Sequence, residues 1–370
     1  MMNPTNFSQL IGNDPIKGYL KRMIERDAMA NSLLFAGPDG IGKSLFALTM
    51  AVELMCQNDP FGIQKKKIAS GNHPDIHHYR PEGKLGLHSI KALRELCEEV
   101  FLPPYEAPVK VFIIHDADRM LSYSANALLK TFEEPPSNTI IVLLSSNPSA
   151  LLPTVLSRCR TIHFHSISEH EIEQYLKTRY QLDDELLKRV AGLAHGSLSR
   201  AISLLEQKGS PTRDLILSLL MRGKVRTYKN LIEAVHTITE QIEAAKKQTE
   251  IAAKEELYKV PTENLSAHHQ QILEKELEGA VSMSQVQEVY ALLDIILSWY
   301  RDLHLLQVGG ATSYLINQDY EMQLEDVLQQ GNIIPFDQLQ KAVEETRLLL
   351  QRSTSLQICM ENLFLKLNLV

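Results

Sequence analysis

Up to about position 165, apolar residues fall into short blocks separated by polar stretches, and the blocks differ in period. Ser32-Leu33-Leu34-Phe35-Ala36 is an unbroken apolar run, the pattern of a strand covered on both faces. Ser44–Met55 (SLFALTMAVELM) contains neither proline nor glycine and predicts a helix. Asp75–Tyr79 predicts a strand and Ile90–Glu99 a helix. Val109–Ile114, rich in β-branched residues, predicts a buried strand. Ala125–Glu134 predicts a helix stopped by Pro135-Pro136. Thr139–Leu144 and Thr161–His165 predict two further strands. This alternation implies an α/β fold with a parallel sheet covered on both faces.

After Ser166 the strand patterns stop. Glu169–Thr178, Asp184–Ala194 and Ser199–Gln207 predict short helices, with a turn at Gly196. Gly209-Ser210-Pro211 marks a boundary. The rest is helix-prone. Glu240–Glu278 is charged, poor in aromatics and interrupted once by Pro261, which predicts long, exposed antiparallel helices joined near that proline. Its charge is that of a solvated face. Leu363–Leu369 makes an apolar end for a packed helix.

A chain of 370 residues has room for two or three domains, and 44% hydrophobic with 22% charged residues is the balance of a soluble globular protein. No apolar run approaches the ~20 residues of a membrane span. Met1–Leu10 lacks the basic-then-apolar signal pattern, so the expected location is the cytoplasm, with no membrane partner. The four cysteines, Cys56, Cys97, Cys159 and Cys359, are scattered, which argues against a disulfide framework or a four-thiolate zinc site. A net charge of −7 is unlike a protein that holds DNA by itself; any DNA contact is expected through a local patch within an assembly. Lys65-Lys66-Lys67 reads as a solvated loop.

The chemistry lies in Gly37-Pro38-Asp39-Gly40-Ile41-Gly42-Lys43-Ser44, which matches G-x-x-x-x-G-K-S in full between a predicted strand and a predicted helix. Gly37, Gly40 and Gly42 let backbone N–H groups turn inward around phosphate oxygens. Lys43 would reach the β- and γ-phosphates, and Ser44 would ligate Mg²⁺. The expected cofactor is ATP with Mg²⁺, and zinc is not expected. An active P-loop ATPase also needs carboxylates at the end of a second strand. Here Ile114 is followed by His115-Asp116-Ala117-Asp118. Imidazole is a poor Mg²⁺ ligand, and Asp116, where a catalytic glutamate is usual, is one methylene short. The chain's own ATPase is therefore expected to be weak or absent, with ATP binding retained.

Several segments resemble the AAA+ clamp-loader ATPases, and within them the delta-prime class of bacterial DNA polymerase III. Phe7-Ser8-Gln9-Leu10-Ile11-Gly12 resembles the N-terminal box near the adenine. Ala125-Asn126-Ala127-Leu128-Leu129-Lys130-Thr131-Phe132-Glu133-Glu134-Pro135-Pro136 is close to a shared signature. Leu156-Ser157-Arg158-Cys159 matches the S-R-C motif, Gly196–Ala201 resembles the sensor-2 segment, and Ser145-Ser146-Asn147 falls at sensor 1. Trp299-Tyr300-Arg301-Asp302-Leu303 is similar to the collar. The family's four-cysteine zinc module is missing, since Cys56–Gly71 holds one cysteine.

The resemblance implies an α/β AAA+ core at 1–165, a helical lid at 166–209 and an all-α collar at 210–370. It implies that Arg158 is an arginine finger acting in trans on a neighbour's γ-phosphate, and that Arg200 touches this chain's own nucleotide. The implied partners are motor subunits of the tau/gamma type, a delta-type subunit and, through the complex, a sliding clamp and primed DNA. Two alternatives stay open. The chain is itself a motor hydrolysing ATP at its P-loop, or it is another AAA+ ATPase that remodels DNA.

Overall fold

The computed structural model describes residues 6–370 apart from 58, 60–61, 83–85, 122–124, 127, 207–210, 223–226, 260–266, 332, 352–353 and 368–370. It divides into two compact units, Met1–Glu206 and Gln207–Val370.

The first unit is built on β1 (Ser32–Ala36), β2 (Ile76–Tyr79), β3 (Lys110–Ile114), β4 (Thr139–Ser145) and β5 (Arg160–His163). All neighbours are parallel, in the order β2-β3-β4-β1-β5. Among the described residues the helices of this unit are α1 (Asp14–Glu25), α2 (Lys43–Met55), α3 (Ile63–Ala69), α4 (Ile90–Val100), α5 (Leu129–Glu133), α6 (Pro153–Leu156), α7 (Glu169–Arg179), α8 (Asp184–Leu193) and α9 (Leu198–Glu206). Every residue of β1, β3 and β4 is buried. Alternate side chains feed two separate apolar layers. Leu33, Phe35, Val111, Ile113 and Val142 pack with α2, while Leu34, Phe112, Ile114, Ile141 and Leu143 pack with α4 and the α5–α6 region. A sheet covered twice needs continuous apolar strands, and that is what the sequence supplies.

The helices after Ser166 share the first of these layers. Ile172, Leu176, Leu187, Val190 and Ala201 join one cluster with Phe35, Phe46 and Phe164. Ser168 opens α7 with a reciprocal cap, its hydroxyl accepting from Glu171 N–H while the Glu171 carboxylate accepts from Ser168 N–H.

Two expectations shift. The helix expected over Ala125–Glu134 is interrupted at Leu128, with Ala125 and Asn126 helical before it and Leu129–Glu133 after it. Leu128 N–H bonds to Ala125 O, three residues back, so a tight turn divides the segment, and Ala127 lies outside the described residues. The strand expected at Thr161–His165 runs Arg160–His163 instead. The Asn13 side chain draws His165 away, accepting from its N–H at 2.8 Å and donating to its carbonyl at 2.9 Å.

The second unit is helical: α10 (Pro211–Met221), α11 (Tyr228–Lys259), α12 (Ala267–Gln307), α13 (Glu321–Gln330), α14 (Phe336–Gln351) and α15 (Leu356–Lys366). Pro261, expected at a helix junction, lies outside the described residues, as do Gly209 and Ser210 of the expected boundary and Leu369 of the apolar end. Trp299, Leu303, Leu324, Leu339, Leu363 and Phe364 lie in one core. Asp302 is fully buried there and accepts from Ile316 N–H, Asn317 N–H, the Asn317 amide and Arg301. Among the described residues no helix is long and apolar enough to cross a membrane.

Candidate functional site

In a parallel sheet the loops after the strands gather at one edge. Register places Ala36 of β1 beside Ser145 of β4 and His163 of β5, and Ile114 of β3 beside Leu143. The segments Gly37–Ser44, His115–Asp118 and Ser145–Asn147 therefore meet at the C-terminal edge of the sheet.

The P-loop leaves β1 with Gly37 N–H bonded to Ser145 O at 3.1 Å. Gly40 and Gly42 have φ of +73° and +95°, a left-handed conformation that a side chain would strain. Gly42 hands over directly to α2, whose first residue is Lys43. The Lys43 ammonium is almost buried, donating to Gly37 O at 2.5 Å and Pro38 O at 2.7 Å, with Asp39 Oδ1 at 3.6 Å. Burial pulls its pKa down, while Asp39, Asp116 and Asp118 oppose that pull. The loop is thus folded around its own lysine, and phosphate oxygens would replace the carbonyls as its acceptors. Ser44 is exposed at the start of α2, where it is open to an Mg²⁺ held with a nucleotide.

At the end of β3, His115 is buried and shares a hydrogen bond with the His78 ring at 3.1 Å. Its carbonyl accepts from the buried His88 ring at 2.7 Å. Burial, then the neighbouring Arg80, His78 and His88, holds its pKa well below the usual imidazole range. His115 is therefore a neutral, satisfied strand-end residue whose ring faces His78 on β2. Asp116 sits at φ +48°. Burial, then the charges of Asp39 and Asp118, pushes its carboxyl up to about 6. Asp118 accepts from Ser145 Oγ at 2.7 Å and Ser146 N–H at 3.2 Å, which ties the end of β4 to the end of β3. Among the described residues no group of three or more histidines, cysteines or carboxylates could hold a metal ion.

The Gly196–Ala201 segment lies against the loop. Ser199 N–H donates to Gly40 O at 3.1 Å, and Arg200 N–H donates to Ser197 Oγ at 3.3 Å. Arg200 is half-buried at the start of α9. Sequence reasoning missed Asp118, His78 and the Ser197–Ser199 contact, because each depends on partners distant in sequence.

Arg158 lies at the other edge of the sheet. It follows α6 and precedes Arg160, the first residue of β5, which is in register with Leu33 near the start of β1. The P-loop follows the last residue of β1, so the two motifs are separated by roughly the length of a short strand, ~10 Å or more. Val155 and Cys159 are buried on either side of Arg158, and burial pushes the Cys159 thiol up to about 12. With these anchors inside, Arg158 is turned outward. It donates to Glu133 through Nε (2.9 Å) and Nη2, and to Thr154 O through Nη1 (2.9 Å).

Fold and site together define a P-loop protein: a five-stranded parallel sheet carrying a phosphate loop, followed by a helical C-terminal region. Residues 12–168 match the family described as "DNA polymerase III, delta subunit". The chain is 38% identical over 164 residues to the DNA polymerase III subunit delta' of Bacillus subtilis, covering 42% of this chain and 49% of that one. It is 31% identical over 226 residues to the DNA polymerase III subunit gamma/tau of Mycoplasma pneumoniae, covering 58% of this chain and 33% of that one. A solved DNA polymerase III gamma subunit-related protein from Thermotoga maritima covers 91% of this chain and 98% of its own, with 19% identity and a TM-score of 0.38. Over part of its length the chain is thus similar to DNA polymerase III gamma/tau and delta' subunits. The chain spans between a third and about a half of the length of these two curated relatives.

Proposed function

We propose that this chain is a delta-prime-like clamp-loader subunit of a DNA polymerase III that supplies Arg158 in trans to the ATP site of an adjacent motor subunit. The observation carrying the reading is the placement of Arg158. It sits at the sheet edge opposite its own P-loop, held outward between two buried anchors. A guanidinium so placed serves a nucleotide bound by a neighbour. Such fingers are worth about 10³–10⁵ in rate in related hydrolases. Kinship with both gamma/tau and delta' subunits agrees with a place in a ring that contains motor and delta-type members.

The own site favours binding over turnover. Gly37, Gly40, Gly42 and Lys43 form the phosphate cradle, Ser44 would take Mg²⁺ with the nucleotide, and Arg200 stands on the lid beside it. His115, neutral and turned to His78, offers no oxygen to Mg²⁺, and Asp116 is half-protonated near pH 6. In the assembled ring, ATP bound by the motors would open a sliding clamp for placement on primed DNA, in the cytoplasm.

The competing reading, that this chain is a motor, rests on its complete P-loop. Reconstitution with motor and delta-type subunits separates the two. With Lys43→Ala in this chain, donor action predicts that most DNA-stimulated ATPase of the complex survives. A motor role predicts that the ATPase contributed by this chain disappears, and with it any turnover by the isolated subunit.

A further inference from the structure

Arg158 is not a loose surface arginine. A guanidinium carries five N–H donors. Here Nε–H and one Nη2–H go to the same oxygen, Glu133 Oε1, and one Nη1–H goes to Thr154 O. Ser157 Oγ stands 3.5 Å from Nη1, at the limit of a hydrogen bond. The side edge of the fork is therefore occupied by Glu133. Nη1 therefore has two acceptors on this chain, and among the described residues Nη2 keeps one N–H for an outside partner. Arg158 keeps 31% of its side-chain surface and Glu133 keeps 48%, so both face the surface where a neighbour would lie.

Glu133 is itself fixed by the fold. It ends α5, whose Thr131 and Phe132 are buried. Pro135 and Pro136 follow, and the Asn31 amide donates to Pro136 O and Thr139 O, both at 2.9 Å. Since β4 begins at Thr139, Glu133 and Arg158 lie at the same N-terminal edge of the sheet, 25 residues apart in sequence.

We infer that Glu133 is the positioning residue of Arg158, gripping the Nε side of the guanidinium so that its outer Nη2 edge is presented to a phosphate held by the adjoining subunit. The inference rests on the arginine-donor reading above. Glu133 touches no nucleotide. It acts through Arg158 by removing the rotamer freedom of a long side chain, and displacement of a catalytic group by ~1 Å costs about 10²-fold in rate. Its acceptor geometry carries the effect; its charge does not, because an exposed ion pair contributes little by itself.

The test is the steady-state ATPase of the reconstituted complex, with motor subunits unaltered and this chain as wild type, Arg158→Ala, Glu133→Ala or Glu133→Gln. Assembly is checked by size-exclusion chromatography. Glu133→Ala is expected to lower kcat about tenfold, less than Arg158→Ala does, with KM for ATP unchanged. Glu133→Gln keeps an oxygen at Oε1 and is expected within about twofold of wild type. Glu133→Ala at wild-type kcat, beside a defective Arg158→Ala, overturns the inference and leaves the donor reading standing. Full activity of Arg158→Ala removes both. If Glu133→Ala does not assemble, Glu133→Gln decides: activity as low as Arg158→Ala contradicts a positioning role.

Discussion

Asp116 carries opposing demands at the residue scale. Its backbone is left-handed, and its carboxyl is pushed up to about 6 by burial and by the nearby Asp39 and Asp118. An acid whose folded pKa lies above its unfolded value stabilises the fold while protonated and loses that contribution as pH rises through the folded pKa. Asp116→Asn keeps a residue that tolerates positive φ and removes the charge. Thermal denaturation is expected to give a higher Tm than wild type at pH 7, the gap closing as pH falls from about 6 to about 4. A gap that persists at pH 4 would mean that charge is not the cause. His78 acts with the opposite sign. Burial, then Arg80 and His77, lowers its pKa to about 4, so its contribution is complete above the ordinary imidazole value and declines as pH falls toward 4.

The strands were legible in the sequence at the scale of elements because burial on both faces leaves an unbroken apolar signature. Ser32–Ala36 matches β1, and Val109–Ile114 and Thr139–Leu144 differ from β3 and β4 by one residue. The P-loop was legible for a related reason, since glycine spacing reports backbone conformation directly. What escaped reading was side-chain pairing across the fold: His78 with His115, Asp118 with Ser145, and Glu133 with Arg158. Register and crossover bring these together, and no local pattern records them. The contact between the Ser197–Ser199 segment and the P-loop is another such case, and it is testable. A Cβ at Gly40 would stand 2.1 Å from Ser197 Oγ and 3.0 Å from Ser199 Cβ, at a φ of +73°. Gly40→Ala is expected to cost about 1–2 kcal/mol from the left-handed backbone alone, with more from the clash. Urea denaturation measures it, and an unchanged midpoint would contradict the close approach.

The whole molecule divides its labour between two units with separate cores. The P-loop and Arg158 belong to the first. The second was legible only as helix-prone sequence with a collar-like segment at Trp299–Leu303, because helical periodicity gives element type and not partner choice. Its Asp302 satisfies two backbone N–H groups and the Asn317 amide in full burial. Asp302→Ala leaves those donors unpaired and is expected to destabilise the second unit by about 2–4 kcal/mol. ATP affinity of the first unit should stay as it was; a parallel loss of ATP binding would show that the units are not independent in this respect.

The role proposed for Arg158 is to serve a neighbour's nucleotide. The most direct measurement is the DNA- and clamp-stimulated ATPase of the complex assembled with Arg158→Ala, all other subunits wild type. The expected result is an assembled complex in which turnover at the site facing Arg158 is nearly abolished, falling by about 10³-fold at that site. A fully assembled complex with undiminished ATPase would contradict it.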